Sequence, residues 1–396
     1  MLLFLAAITA SAAFEGGSIG RVEQVSAAHL RCAVKGQADQ DGRNRQANWY
    51  YFRLDSLPKH EIRIEFTDLV GEYNYRAGSH SMTRNSRPVY SYDNLRWTHF
   101  RDQDVQWDEK QVRLTVRFRP ERERAWIAHV PPYTTAHLSS LIEAIGKRPH
   151  VKREAAGKTT QGRDLHLLSI TDPSVAESDK KVVWVMARQH AWETGTSWVM
   201  DGALRFLASG DPQAAELRRS IVWKFFPMAD PDGVVNGQVR FNTHGYDVNR
   251  NWDTADPQRT PEIFVMKKAM LDWIDSGRRI DLFLAMHNQE AGDYIDGPFR
   301  PENERARRMA QRFFDALATT DSFQAAGGPR NSMSRGLVAK GRMTVNQALA
   351  HERDIAAFLM ELGVERNLKL GRLRTTEDNV RFGPVLLRTL AQVVGE

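Results

Sequence analysis

Cysteine is nearly missing from this chain: Cys32 is the only one in 396 residues. An intrachain disulfide is therefore excluded, and so is any thiolate metal cage. Burial of apolar surface has to hold the fold, and a metal could be held only by histidine and carboxylate. Long apolar runs are missing too, since no segment beyond the N-terminus approaches the roughly 20 residues that a membrane-crossing helix needs. Charge is not segregated: 55 Lys+Arg are scattered among 49 Asp+Glu, leaving a net charge of +6. Such mixing describes a solvated surface and argues against a nucleic-acid-binding stripe. Internal repeats and low-complexity tracts are also absent. At the N-terminus, the apolar core Leu2 to Ile8 precedes Ala10-Ser11-Ala12 or Ser11-Ala12-Ala13, with no Lys or Arg ahead of it. Residues 1–13 thus have the form of a secretory signal. The expectation is a periplasmic or secreted protein without stable membrane insertion once the signal is removed, a cytoplasmic location being the alternative.

Two domains are the default at this length. Residues 14–132 read as an all-β antiparallel sandwich. Asn48 to Leu54 is rich in aromatics, Glu61 to Phe66 alternates charged with apolar residues, and Val112, Leu114, Val116 and Phe118 share one face. Pro131-Pro132 marks the joint, because paired prolines stop a strand. Residues 133–396 alternate between strands and helices, which predicts a mixed β-sheet flanked by helices, an α/β domain. Strands are expected at Leu165–Ile170, Val182–Met186, Ile221–Met228, Ile280–Met286 and Ala356–Glu361. Helices are expected at 135–146, 196–209, 261–276, 302–318 and 377–394, with Thr196 as an N-cap.

The stretch 182–206 organises the second domain. It reads as a buried strand, a short loop carrying His190 and Glu193, and a helix. In an open α/β sheet, ligands bind beyond the carboxyl ends of the strands, where an imidazole and a carboxylate could converge on one zinc ion. A His-x-x-Glu spacing is common by chance, and it recurs here at His287 to Glu290. The polar cluster Arg240 to Trp252, His287 after an apolar strand and Glu361 after another would gather at the same sheet edge.

These residues resemble the carboxypeptidase A-type zinc metallopeptidases, in the branch called cytosolic carboxypeptidases. Ala187-Arg188-Gln189-His190 with Glu193-Thr194, the run Gly245 to Trp252, the lead-in Gly157 to Leu165 and the Pro132-Tyr133-Thr134 joint carry the likeness. The resemblance implies one Zn2+ per chain, held by His190, Glu193 and His287, with Glu290 left out. Asp247 is implied as the carboxylate behind His190, and Glu361 as general base and acid. Arg240 is implied to face the oxyanion, and Asn249 and Arg250 to clamp the substrate's terminal carboxylate. Lys340 and Arg342 are candidates to meet an acidic side chain, as suits that branch's preference for C-terminal glutamate.

One departure stands out: the branch commonly carries a tyrosine upstream of the catalytic glutamate, and this chain has none after Tyr294. The function expected is that of a zinc metallocarboxypeptidase, which hydrolyses C-terminal peptide or isopeptide bonds of a peptide or protein with zinc-activated water. A zinc amidohydrolase acting on small acyl-amino acids or muropeptides would suit the missing tyrosine. A catalytically inactive binding protein would predict loss of a ligand or of the base, and all four residues are present.

Overall fold

The computed structural model describes residues 7–300, 302–324, 327–336 and 338–395. The chain divides into two compact units: residues up to Thr134 with Gly233–Gly245, and Thr135–Asp232 with Tyr246–Glu396. The sequence reading put residues 233–245 in the second domain. They join the first because one side chain holds them there: Gln37 Oε1 accepts the successive N–H groups of Val239, Arg240 and Phe241 at 2.9, 2.8 and 2.9 Å. Gln37 Nε2 donates to Phe241 O at 2.7 Å.

The first unit contains two five-stranded sheets. All their pairings are antiparallel except that of His29–Ala33 with Ile62–Thr67. Alternating side chains such as Phe52, Leu54, Ile62, Ile64, Phe66, Leu114 and Val116 form its core, as a half-buried strand pattern requires. The aromatics are packing groups: Tyr50 stacks on Phe66 with ring centroids 4.3 Å apart. Cys32 is fully buried here, and burial pushes its thiol up to about 12. Val112 packs against the same core but lies outside the strand expected to include it. Its φ of 47° places it in the turn before the strand Arg113–Phe118. Leu2–Ala6 of the apolar run lie outside the described residues, while Thr9–Ser11 forms an edge strand paired with Arg53–Asp55.

The second unit is built on seven strands: β1 (Val151–Lys158), β2 (Asp164–Ile170), β3 (Lys181–Ala187), β4 (Ile221–Phe226), β5 (Leu282–Gln289), β6 (Tyr294–Asp296) and β7 (Ala357–Gly363). Their order is β1-β2-β4-β3-β5-β7-β6. The four central strands run parallel, and the outer ones antiparallel. Strand β3 is apolar on both faces because both are covered. Val182, Trp184 and Met186 belong to one core, with Ile263, Met266, Met270 and Trp273 of a following helix.

Seven helices of this unit matter below: α1 (Thr135–Ile145), α2 (Thr194–Leu207), α3 (Pro212–Ser220), α4 (Pro261–Asp275), α5 (Glu304–Ala318), α6 (Val345–Arg353) and α7 (Thr376–Gly395). Helix α2 begins two residues earlier than Thr196. The Thr196 hydroxyl is not the cap; it donates to Glu193 O at 2.8 Å inside the first turn. Helices α2 and α7 touch backbone to backbone. A Cβ on Gly202 would lie 1.9 Å from Val380 O, and one on Gly383 would lie 2.3 Å from Ala203 N.

That close approach yields a stability test. Gly202→Ala is expected to lower stability by about 1–3 kcal/mol, the usual cost of forcing extra volume into a packed interface. Gly210→Ala, at a site with nothing within 4 Å, is the control. Urea midpoints read both, and equal shifts would contradict the helix packing described.

Candidate metal centre

Strand β3 ends at Ala187, and the chain then turns sharply through Arg188, whose φ is +61°. A non-glycine residue is uncommon in that region and persists only when its surroundings hold it. The buried Arg188 guanidinium does this: Nε donates to Ala191 O at 2.8 Å and Nη1 to Ser197 Oγ at 2.9 Å. The loop so fixed delivers His190, and Glu193 follows at the N-cap of α2. His287 enters from β5, which is one strand over and parallel. It lies within the strand rather than at its end, since β5 continues to Gln289. Glu361 likewise lies inside β7, directly paired with His287.

The three side chains converge. One ligand atom from each of His190, Glu193 and His287 lies within 4.8 Å of the other two, and all three residues are buried. The Glu193 carboxylate faces both rings: Oε1 lies 2.6 Å from His190 Nδ1, and Oε2 lies 2.8 Å from His287 Nδ1. Burial alone would raise this carboxyl. The charges of His190 and then His287, with hydrogen bonds to both, outweigh burial and hold it below the usual carboxylate range. The Nδ1 atoms point inward, so the outward Nε2 atoms set the ring orientations. His190 Nε2 donates to Asp247 Oδ1 at 3.0 Å. His287 Nε2 lies 3.0 Å from Gln189 Oε1 and 3.2 Å from Asn249 Nδ2.

Each orienting group is itself held. Asp247 Oδ1 also accepts from Asn249 N at 2.9 Å, Gln189 Nε2 donates to Val248 O at 2.9 Å, and Asn249 Oδ1 accepts from Val345 N at 3.1 Å. Asn288 ties α2 to the sheet, accepting from Thr196 N at 3.1 Å and donating to Leu362 O at 3.0 Å. Position 195 is glycine for that reason, because a Cβ there would sit 2.8 Å from Asn288 Oδ1. Two imidazoles and a carboxylate with supported rings make a donor set that fits zinc and leaves a fourth coordination position.

The other candidates are placed less closely. Arg250 is half-buried beside Asn249, with Nη1 donating to Asn249 O at 2.7 Å. Arg342 is half-buried and Lys340 exposed on a loop pinned to Asp253, whose Oδ2 accepts from Gly341 N at 2.7 Å. Helix α6 occupies Val345–Arg353, where the sequence analysis expected no helix. Arg240 belongs to the first unit. Arg188, Gln189 and Asn288 were not anticipated as contributors. Only their place beside His190 and His287 in the chain could have drawn attention to them.

A buried His-Glu-His cluster at the carboxyl ends of parallel strands defines the class of α/β metal-dependent hydrolases. The chain belongs to the zinc carboxypeptidase family, whose profile matches residues 138–362, and the profile of the cytosolic carboxypeptidase N-terminal domain matches residues 10–130. It is 27% identical to mouse cytosolic carboxypeptidase 6 over 76% of this chain and 57% of that protein, and 28% identical to the human one over 76% and 61%. This chain therefore spans about 60% of the length of those relatives. A metallo-carboxypeptidase from Burkholderia cenocepacia has the same fold, with a TM-score of 0.85 at 24% identity and coverage of 98% and 99% of the two chains. A metallo-carboxypeptidase from Pseudomonas aeruginosa, solved with (2-guanidinoethylmercapto)succinic acid, superposes with a TM-score of 0.82 at 25% identity, covering 98% and 99%.

Zinc affinity, read by competition with a chromophoric chelator, tests the centre. Asp247→Asn is expected to weaken zinc binding by about 10–100-fold, the usual effect of losing a carboxylate behind a ligand histidine. Glu193→Ala should weaken it further. Unchanged affinity in both would rule out this cluster as the site.

Proposed function

We propose that this chain is a metallocarboxypeptidase that removes the C-terminal residue of a peptide or protein by hydrolysing a peptide or isopeptide bond. The observation that carries this reading is the convergence of His190, Glu193 and His287, with Glu361 paired to His287 on the adjacent strand. A bound zinc ion supplies Lewis acidity and brings the pKa of water to about 7. Glu361 takes a proton from the attacking water and returns it to the leaving amine as the C–N bond breaks. Positioned proton transfer of this kind contributes about 100- to 10,000-fold.

Arg250 is assigned to the substrate's terminal carboxylate, which a planar guanidinium binds through two parallel hydrogen bonds. Asn249 is assigned to the same clamp, although both ends of its amide already serve His287 and Val345. A preference for acidic C-terminal residues would draw on Arg342, which is half-buried, more than on the exposed Lys340. The peptide C-terminus is thus the partner proposed. As to location, an exported protein would lose residues up to Ala12 or Ala13 and with them the edge strand Thr9–Ser11. A chain kept in the cytoplasm would retain that strand. N-terminal sequencing of the natural protein decides between the two.

Digestion of a C-terminal peptide library, read by mass, tests the activity. Single C-terminal residues should be released, and both chelator and Glu361→Gln should abolish the release, the substitution by at least about 100-fold. Enrichment of Glu and Asp among the released residues, lost in Arg342→Gln, would support the acidic preference. Intact peptides alongside cleaved N-acyl amino acids would replace the carboxypeptidase reading with the amidohydrolase one.

A further inference from the structure

The last tyrosine of the chain stands beside the residue assigned as general base. Tyr294 lies on β6, directly opposite Glu361 of the antiparallel β7. Cross-strand partners have side chains on the same face of the sheet and within reach of one another. The contact is made: Tyr294 Oη donates to Glu361 Oε1 at 3.4 Å. This is long for a hydrogen bond, but such bonds at catalytic groups commonly tighten only when substrate is bound. The ring is fixed on another side by Arg330, whose guanidinium carbon lies 3.6 Å from the ring centroid. Arg330 is held in turn by its backbone, which donates to Ile295 O at 2.9 Å and accepts from Gly297 N at 2.9 Å. The phenol is mostly buried, and burial, followed by the nearby Glu361 charge, raises its pKa above the ordinary tyrosine value, so it stays a donor at neutral pH.

A glutamate carboxylate turns easily about its last torsion, because that torsion has a broad minimum. Proton transfer to and from one bound geometry needs that freedom removed. We propose that Tyr294 is a positioning residue for Glu361, its hydroxyl fixing the orientation in which the carboxylate meets water and the leaving amine. This rests on the carboxypeptidase reading and extends it to a residue outside the stretches that carry the family resemblance. The bland account is that Tyr294 simply fills the sheet edge beside β7, in which case only its ring matters.

Tyr294→Phe separates these accounts, because it keeps the ring and the Arg330 stack and removes only the hydroxyl. In the zinc-loaded protein, kcat should fall about tenfold, the scale of one lost hydrogen bond to a charged group. KM should stay within about twofold, because the substrate is not what the hydroxyl touches. Zinc content should be unchanged. Urea midpoints of Tyr294→Phe, Glu361→Gln and the double variant supply a readout independent of turnover: the contact predicts that the two losses are not additive. Unchanged kcat, an effect confined to KM, or additive midpoints would overturn the proposal. Should the unsubstituted protein show no chelator-sensitive hydrolysis, the carboxypeptidase reading fails, and the midpoint cycle still decides whether Tyr294 holds Glu361.

Discussion

A carboxylate buried between two imidazoles is the interaction on which the second unit depends. Glu193 has no solvent to stabilise its charge, so desolvation would expel it from the interior unless opposite charge or a metal faced it. His190 and His287 face it at 2.6 and 2.8 Å, and they come from different elements 97 residues apart in the chain. Two consequences follow. Strands β3 and β5 must run parallel and in the register that pairs Ala187 with Met286, or the rings would not meet. The rings must also be held from outside, by Asp247 on one and by Gln189 and Asn249 on the other. The left-handed Arg188 and the crowded Gly195 are the backbone's accommodation to that demand.

The same logic separates the groups that hold a metal from those that would move protons. His190 and Glu193 come from the loop after β3 and the start of α2 and His287 from within β5, with Asp247, Gln189 and Asn249 on the outward ring nitrogens. Glu361 comes from the next strand, and its neighbour Tyr294 comes from the short antiparallel edge strand beyond. A base on a strand interior has its backbone locked, so only side-chain rotation remains to be controlled. A cross-strand neighbour lies on the same face of the sheet and within reach of it. The first unit shows a comparable economy, with a single glutamine amide gathering three successive N–H groups around Arg240.

Periodicity and composition went far with the regular parts. The buried run 182–186, the helix over 261–275 and the alternating strands of the sandwich were legible because their side chains repeat at intervals of two or 3.6 residues. The candidate donors were legible for another reason, since His190 with Glu193 and the run to Trp252 keep a recognisable motif, and the structure brings His190, Glu193 and His287 together. Local pattern failed where a distant partner decides the outcome. Val112 matched the strand alternation, yet it takes a turn conformation. Residues 233–245 read as part of the second domain, yet Gln37, some 200 positions away, holds them in the first unit. Thr196 looked like a cap, yet the helix starts earlier, where Glu193 is needed at the centre.

Cysteine content, the mixture of charges, the spacing of apolar residues and the two histidines with their glutamates are local properties, and the sequence alone determined from them the fold class and the donors available to a metal. Which nitrogen of each ring points inward, what holds the outward one, and that Tyr294 faces Glu361 were decided only by tertiary structure. The physical reason is that strand register and helix entry bring together side chains whose separation along the chain carries no information about their separation in space.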